Sequence, residues 1–144
     1  MSSRLRSLSL PMVQPSGSRK TARQRLGQHS ERFAVRLLQS QGYTIQETNV
    51  RFPVGEIDIV AREGETLCFV EVRSTASSQW GGPLASVTYR KRRHLIRAAQ
   101  WYLSRLPRLP SQTRFDVVGI TWGDGKTPAL ELIRGAFESD TRTW

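Results

Sequence analysis

The sequence predicts a mixed α/β fold, a central β-sheet flanked by helices on both sides, and three observations predict it. Helical and strand periodicities alternate along the chain after about residue 20. Two β-rich runs joined by Glu63-Gly64-Glu65 read as a hairpin that is apolar on both faces, which belongs in the middle of a covered sheet. No apolar run approaches the roughly 18 residues that span a bilayer, so an integral membrane protein is not expected.

The elements follow in order. A first helix from Thr21 or Gly27 to Gln41 rests on Phe33, Ala34, Leu37 and Leu38, which recur on one helical face, and Gly42 ends it. Tyr43 to Asn49 alternates apolar and polar side chains as a strand does, and Pro53 and Gly55 then break the chain. Glu56 to Arg62 and Thr66 to Ser74 are the two arms of the hairpin. A turn centred on Gly64 and Glu65 sets Asp58 opposite Glu71 and Val60 opposite Phe69, with Ile57, Ile59, Val70 and Val72 on the other face. Gln79 to Pro83 reads as a loop. Thr88 caps a helix from Tyr89 to Leu106, buried along Leu95, Ala98, Ala99, Tyr102 and Leu106, with Arg90, Lys91, Arg93 and Arg97 outside. Arg114 to Thr121 and Ala129 to Arg134 are strands on either side of the turn Gly123-Asp124-Gly125. The core order is thus α-β-β-β-α-β, with one strand more.

At 144 residues the chain suits one domain, here residues 21–144, behind a basic tail over residues 1–20. The net charge of +10 favours polyanionic partners, and its distribution is uneven. Residues 1–30 hold six of the 22 Lys and Arg and no acid, leaving 16 basic against 12 acidic residues in the remainder. The tail's Ser, Pro11, Pro15 and Gly17 read as disorder, its composition also suits an organellar transit peptide, and cytoplasmic residence is the default expectation. Cys68, the single cysteine, lies in an apolar run and reads as a buried thiol.

Two carboxylates facing each other from a central hairpin repel, and burial makes the repulsion worse, so a positive charge should lie between them. One candidate is Arg73, on the strand face of Glu71, as an ion-pair partner. The other is a Mg²⁺ ion held by Asp58, Glu71 and the backbone carbonyl of Val72.

Taken together, Gly27-Gln-His-Ser-Glu31-Arg-Phe-Ala34, Asn49-Val-Arg51, Gly55-Glu-Ile-Asp58-Ile-Val-Ala61, Phe69-Val-Glu71-Val-Arg73 and Arg114-Phe-Asp-Val-Val118, in that order, resemble the YraN-like family of small bacterial proteins over about residues 25–120. That family resembles nucleases of the PD-(D/E)xK, restriction-endonuclease-like fold, related to archaeal Holliday junction resolvases. The resemblance implies a restriction-endonuclease-like sheet, Mg²⁺ or Mn²⁺ as cofactor, Asp58 as motif aspartate, Glu71 as second acid, Arg73 at the motif lysine and Glu31 as the acid of the first helix. Ile57 stands where those nucleases carry proline, which supplies no ligand. Arg73 is the larger departure, because guanidinium stays charged and is a poor general base, although it can stabilise charge on a phosphate.

Around this centre, Arg51, Arg90, Lys91, Arg93 and Arg97 are candidate nucleic-acid contacts, against a plain solvated helix face. Trp80 reads as a loop anchor or a base-stacking residue, and His29 and His94 as surface residues without zinc-ligand partners. The functional expectation is a nucleic-acid-binding protein of nuclease fold with metal-dependent phosphodiester hydrolysis of branched DNA. Its alternative is a non-catalytic binding module for nucleic acid or protein on the same fold. DNA is the expected partner ahead of RNA, and a homodimer is compatible with the sequence.

Overall fold

In the computed structural model, residues 22–76, 82–123 and 127–139 are described. The expected N-terminal tail, Trp80 and the tip of the Gly123-Asp124-Gly125 turn lie outside them. The elements are α1 (Ala22–Ser40), β1 (Thr44–Phe52), β2 (Gly55–Glu63), β3 (Thr66–Thr75), α2 (Gly82–Ala85), α3 (Tyr89–Ser104), β4 (Gln112–Thr121) and β5 (Ala129–Phe137). The strands form one mixed sheet in chain order. β2 pairs antiparallel with both β1 and β3, β3 and β4 pair in parallel across the connection that carries α2 and α3, and β5 returns antiparallel to β4. This is the mixed sheet between helices that the sequence predicts.

The two faces are covered by different helices. Ala34 and Leu38 of α1 pack with Ile59, Ala61, Cys68, Val70, Val118 and Ile120. On the opposite face Leu95, Ala98, Ala99 and Tyr102 of α3 pack with Val60, Leu67, Phe69, Phe115 and Val117. The expected stripe of α3 is therefore the buried one, although the helix ends at Ser104 and Leu106 packs from beyond it. Thr88 caps α3, its hydroxyl accepting from the Lys91 amide at 3.2 Å.

Ile57 departs from the expected alternation, joining the α3-side cluster while Ile59 lies with α1. The cause is local. The β2–β3 ladder runs from Glu63↔Thr66 only to Ile59↔Val70, whereas β2 stays paired with β1 back to Gly55. Freed from β3, the first residues of β2 no longer share the hairpin's faces.

Two close approaches fix the cover over this end of the sheet. A Cβ at Gly55 would lie 3.1 Å from the His94 carbonyl oxygen of α3, and one at Gly119 of β4 would overlap the Pro83 ring. The second contact seats α2, a short helix where the sequence suggests only loop.

Candidate functional site

The hairpin register agrees with the sequence reading, with Val60 opposite Phe69. One step past the last rung Asp58 comes in line with Glu71, and there the ladder is replaced by a side-chain contact: the Val72 amide donates to Asp58 Oδ2 at 2.8 Å. This hydrogen bond fixes the Asp58 carboxylate at the mouth of the diverging strands. In β1, Asn49 falls between the rungs Thr48↔Ile59 and Val50↔Ile57, so it lies beside Asp58 with a left-handed φ of 54°. Asparagine tolerates that conformation better than most residues. Its side chain lies near Glu31 of α1 and favours the ionised form of that carboxyl. Burial, followed by the repulsion of Asp58 and Glu56, raises the Glu31 carboxyl above its ordinary range, against the lowering effect of Asn49.

Glu71 is the most constrained group of the cluster, only 2% exposed. Its pKa is pushed up to about 8, first by burial and then by the Asp58 carboxylate, with Lys91 and Arg73 pulling it back. Two cations reach its Oε2: Arg73 Nη1 at 3.3 Å and Lys91 Nζ at 3.6 Å. Oε1 is buried and has no hydrogen-bond partner among the described residues. Glu71 and Asp58 are close enough to share a proton when one is neutral, but with both ionised neither can donate, and Oε1 is left unsatisfied.

Arg73 is held from a second direction, its Nε donating to Ser86 Oγ at 3.0 Å, and Ser86 in turn donates to the Pro83 carbonyl at 2.6 Å. The Pro83–Gly119 contact that seats α2 thus also orients the guanidinium beside Glu71. Nothing in the sequence pattern pointed to Ser86.

Lys91 corrects the reading of α3. It was expected on the outer side, yet its ammonium lies over the sheet against Glu71. The signal was present: Lys91 precedes Leu95 by four residues and so begins the same stripe that buries Leu95, Ala98 and Tyr102.

A hard divalent cation takes oxygen ligands, and Mg²⁺ commonly uses one or two carboxylates and keeps several waters. Asp58 and Glu71, with a buried oxygen lacking a partner, fit such an ion. Among the described residues no three His, Cys, Asp or Glu side chains form a ready cage, so the candidate centre is a carboxylate pair with Glu31 in electrostatic reach.

The profile described as "Uncharacterised protein family UPF0102" matches residues 30–120 of the chain. The chain belongs to this family. UPF0102 proteins of Herminiimonas arsenicoxydans, Moorella thermoacetica and Desulfosudis oleivorans are 48%, 45% and 43% identical to it over 120, 117 and 118 residues. These alignments cover 83%, 80% and 82% of this chain and 92%, 97% and 94% of the relatives. Glu31, Asp58, Glu71, Arg73 and Lys91 of this UPF0102 chain all fall inside the profile match.

The remaining sequence candidates in the UPF0102 chain stand further out. Arg51 pairs with Glu56 at 3.5 Å on the rim of the β1–β2 end. Arg90 and Arg97 are exposed on α3, and Arg93 donates to the Tyr89 hydroxyl at 3.3 Å. No helix among the described residues is long and apolar enough to cross a membrane.

Proposed function

We propose that this UPF0102 protein binds DNA along α3 and hydrolyses its phosphodiesters with a divalent metal, Mg²⁺ or Mn²⁺, at Asp58 and Glu71. One observation carries the reading: a nearly fully buried glutamate with a partnerless oxygen, beside a second carboxylate and under two cations. Buried ionised carboxylates are costly unless paired or metal-bound. Asp58, Glu71 and the Val72 carbonyl would hold the ion, which supplies Lewis-acid polarisation of the phosphate and a lowered pKa for bound water.

The chain's own groups have separate roles in this reading. The Val72 amide fixes Asp58 by its hydrogen bond. Arg73, braced by Ser86, is a permanent cation that stabilises charge on the phosphate but moves no proton. Lys91 brings an ammonium to the same carboxylate, and an ammonium can orient and exchange protons with water where a guanidinium cannot. Glu31 is the acid of the first helix, its proton affinity raised by burial and by Asp58. Arg51, Arg90, Arg93 and Arg97 follow the phosphate backbone. A cytoplasmic setting belongs to the same reading.

The test is incubation of pure protein with supercoiled, single-stranded and four-way-junction DNA in Mg²⁺ and Mn²⁺. Wild type and Arg73→Lys should cleave, Arg73→Ala and Lys91→Ala should cleave more slowly, and Asp58→Ala should not cleave or bind metal. A second reading, binding without cleavage, is favoured by the tie of Arg73 to both Glu71 and Ser86, which makes it an internal counter-ion. Equal background cleavage by all variants, with melting losses for Arg73→Ala, would establish that second reading instead.

A further inference from the structure

Beside the carboxylate site, the first half of α3 and the end of β5 enclose a cleft of about 620 Å³ that neither the metal centre nor its flanking cations use. It is lined by Tyr89, Arg92, Arg93, Ile96, Arg97 and Phe137, together with Glu138 at the strand end. Three guanidinium groups against one carboxylate give it a positive field, and the Tyr89 ring offers it an exposed flat surface. Tyr89 is 72% exposed, unusual for so large a side chain, and Arg93 lies 5.8 Å from its ring centre. Phe137 is stacked on Phe115 with centroids 4.9 Å apart, and Arg92 covers it at 5.5 Å. Arg92 is held in place by its bond to the Val87 carbonyl at 3.0 Å, whereas Arg97 is exposed and makes no ion pair among the described residues.

We propose that this cleft binds an unpaired nucleotide of a single strand, the base stacked on Tyr89 and the flanking phosphates on Arg93 and Arg97. Stacking is indifferent to sequence because every base has a π-face, and arginines beside the ring neutralise the backbone. In duplex DNA the bases are already stacked, so an exposed ring in a basic cleft selects strands that are open, at a junction, flap or gap. Position agrees with this role. β5 lies two strands from β3, so the cleft is displaced from Glu71 by roughly 10 Å across the sheet, on the face α3 covers. The inference rests on the proposed DNA binding and adds to it the open strand as the recognised feature.

The experiment compares affinities for a single-stranded oligonucleotide and a blunt duplex of the same sequence, without divalent metal so that no strand is cut. Wild type, Tyr89→Ala and Arg97→Ala are measured, and an iodouracil-containing single strand is photo-cross-linked and mapped. Tyr89→Ala should weaken single-strand binding by about 5- to 150-fold and leave duplex binding unchanged. Arg97→Ala should weaken both, and the cross-link should fall on Tyr89 or Phe137. Wild type binding both substrates with no effect of Tyr89→Ala, or with equal losses on both, overturns the cleft and leaves the proposed function standing. Wild type binding neither overturns both. A poly-glutamate peptide bound as tightly and with the same Tyr89 dependence overturns it in favour of an acidic protein partner.

Discussion

Two acids are buried in this sheet, and their surroundings differ in kind. Asp116 in β4, 0% exposed, has both oxygens satisfied. Oδ1 accepts from Arg114 Nε at 2.8 Å and the Gly135 amide at 2.9 Å, and Oδ2 from the Tyr43 hydroxyl at 2.7 Å and Arg114 Nη2 at 2.9 Å. Arg114 also binds Glu63 Oε1 at 2.6 Å, which Arg134 grips from the other side. The network holds the Tyr43 phenol and the Arg114 guanidinium well above their ordinary pKa values, Tyr43 first through burial and Arg114 first through Asp116. Glu71, one strand away, has two longer contacts on one oxygen and none on the other. A closed network of short bonds ties elements together, whereas an acid left half-satisfied beside another acid costs stability and leaves a ligand position open. The contrast separates an acid whose bonds are all made from one whose second oxygen stays open, within the same sheet.

The comparison breaks most sharply at Asp116. Asp116→Ala should cost about 3 kcal/mol in urea unfolding, the lower part of the range for breaking a buried ion pair, because Arg114 keeps Glu63 as a partner. The next largest effect concerns the other acid: Mg²⁺ or Mn²⁺ should stabilise wild type by about 2.7 kcal/mol at a hundredfold excess over Kd. The same titration should leave the melting of Asp58→Ala unchanged, and a shift in that variant would remove the metal from this pair.

Glu71→Gln should act in the opposite sense to Asp116→Ala. The folded-state pKa of Glu71 lies above its unfolded value of about 4.5, so the native state holds a proton that the unfolded chain releases. The favourable state is therefore fully present below pH 4.5, and stability falls as pH rises toward about 8. Without metal, Glu71→Gln should flatten that slope and stabilise the protein by about 1 to 2 kcal/mol at pH 8. Thermal melts from pH 5 to 8 read both effects, and a wild-type slope of the opposite sign would mean that Glu71 is not buried as an acid. Smallest is Arg51→Ala at the exposed pair with Glu56, which should change stability by no more than about 0.5 kcal/mol.

Asp58 and Glu71 were legible because a short turn sets the hairpin register and strand alternation then fixes the faces. The limit of that logic lies at Ile57, where β2 leaves β3 and parity no longer reports the face. Lys91 was misread by taking charge as a sign of exposure, when its spacing from Leu95 already set it over the sheet. The Asp116 network was invisible for a different reason. Tyr43, Glu63, Arg114 and Arg134 come from β2, β4, β5 and the start of the β1 arm, and no local pattern in Arg114-Phe-Asp-Val-Val announces partners 51 and 73 positions away. Cys68 was read as a buried thiol and is one, its pKa pushed up to about 12, chiefly by burial.

The parallel pairing of β3 with β4 also orders events in time. Asp58 and Glu71 belong to one hairpin, a local structure of the kind that closes within about 1 to 10 μs. Lys91 and the apolar cover over Glu71 arrive only when the crossover returns the chain to β4. Because a hairpin forms faster than a long crossover closes, the acidic pair is expected to assemble in water and to be dehydrated afterwards. Burying Glu71, with the proton that the folded state holds below about pH 8, would then belong to the late, slow part of folding, where non-local contacts set the barrier. Refolding should slow as pH rises from 5 to 8 and recover when Glu71 is replaced by Gln, making the speed of chain closure a gauge of the charge it must first neutralise.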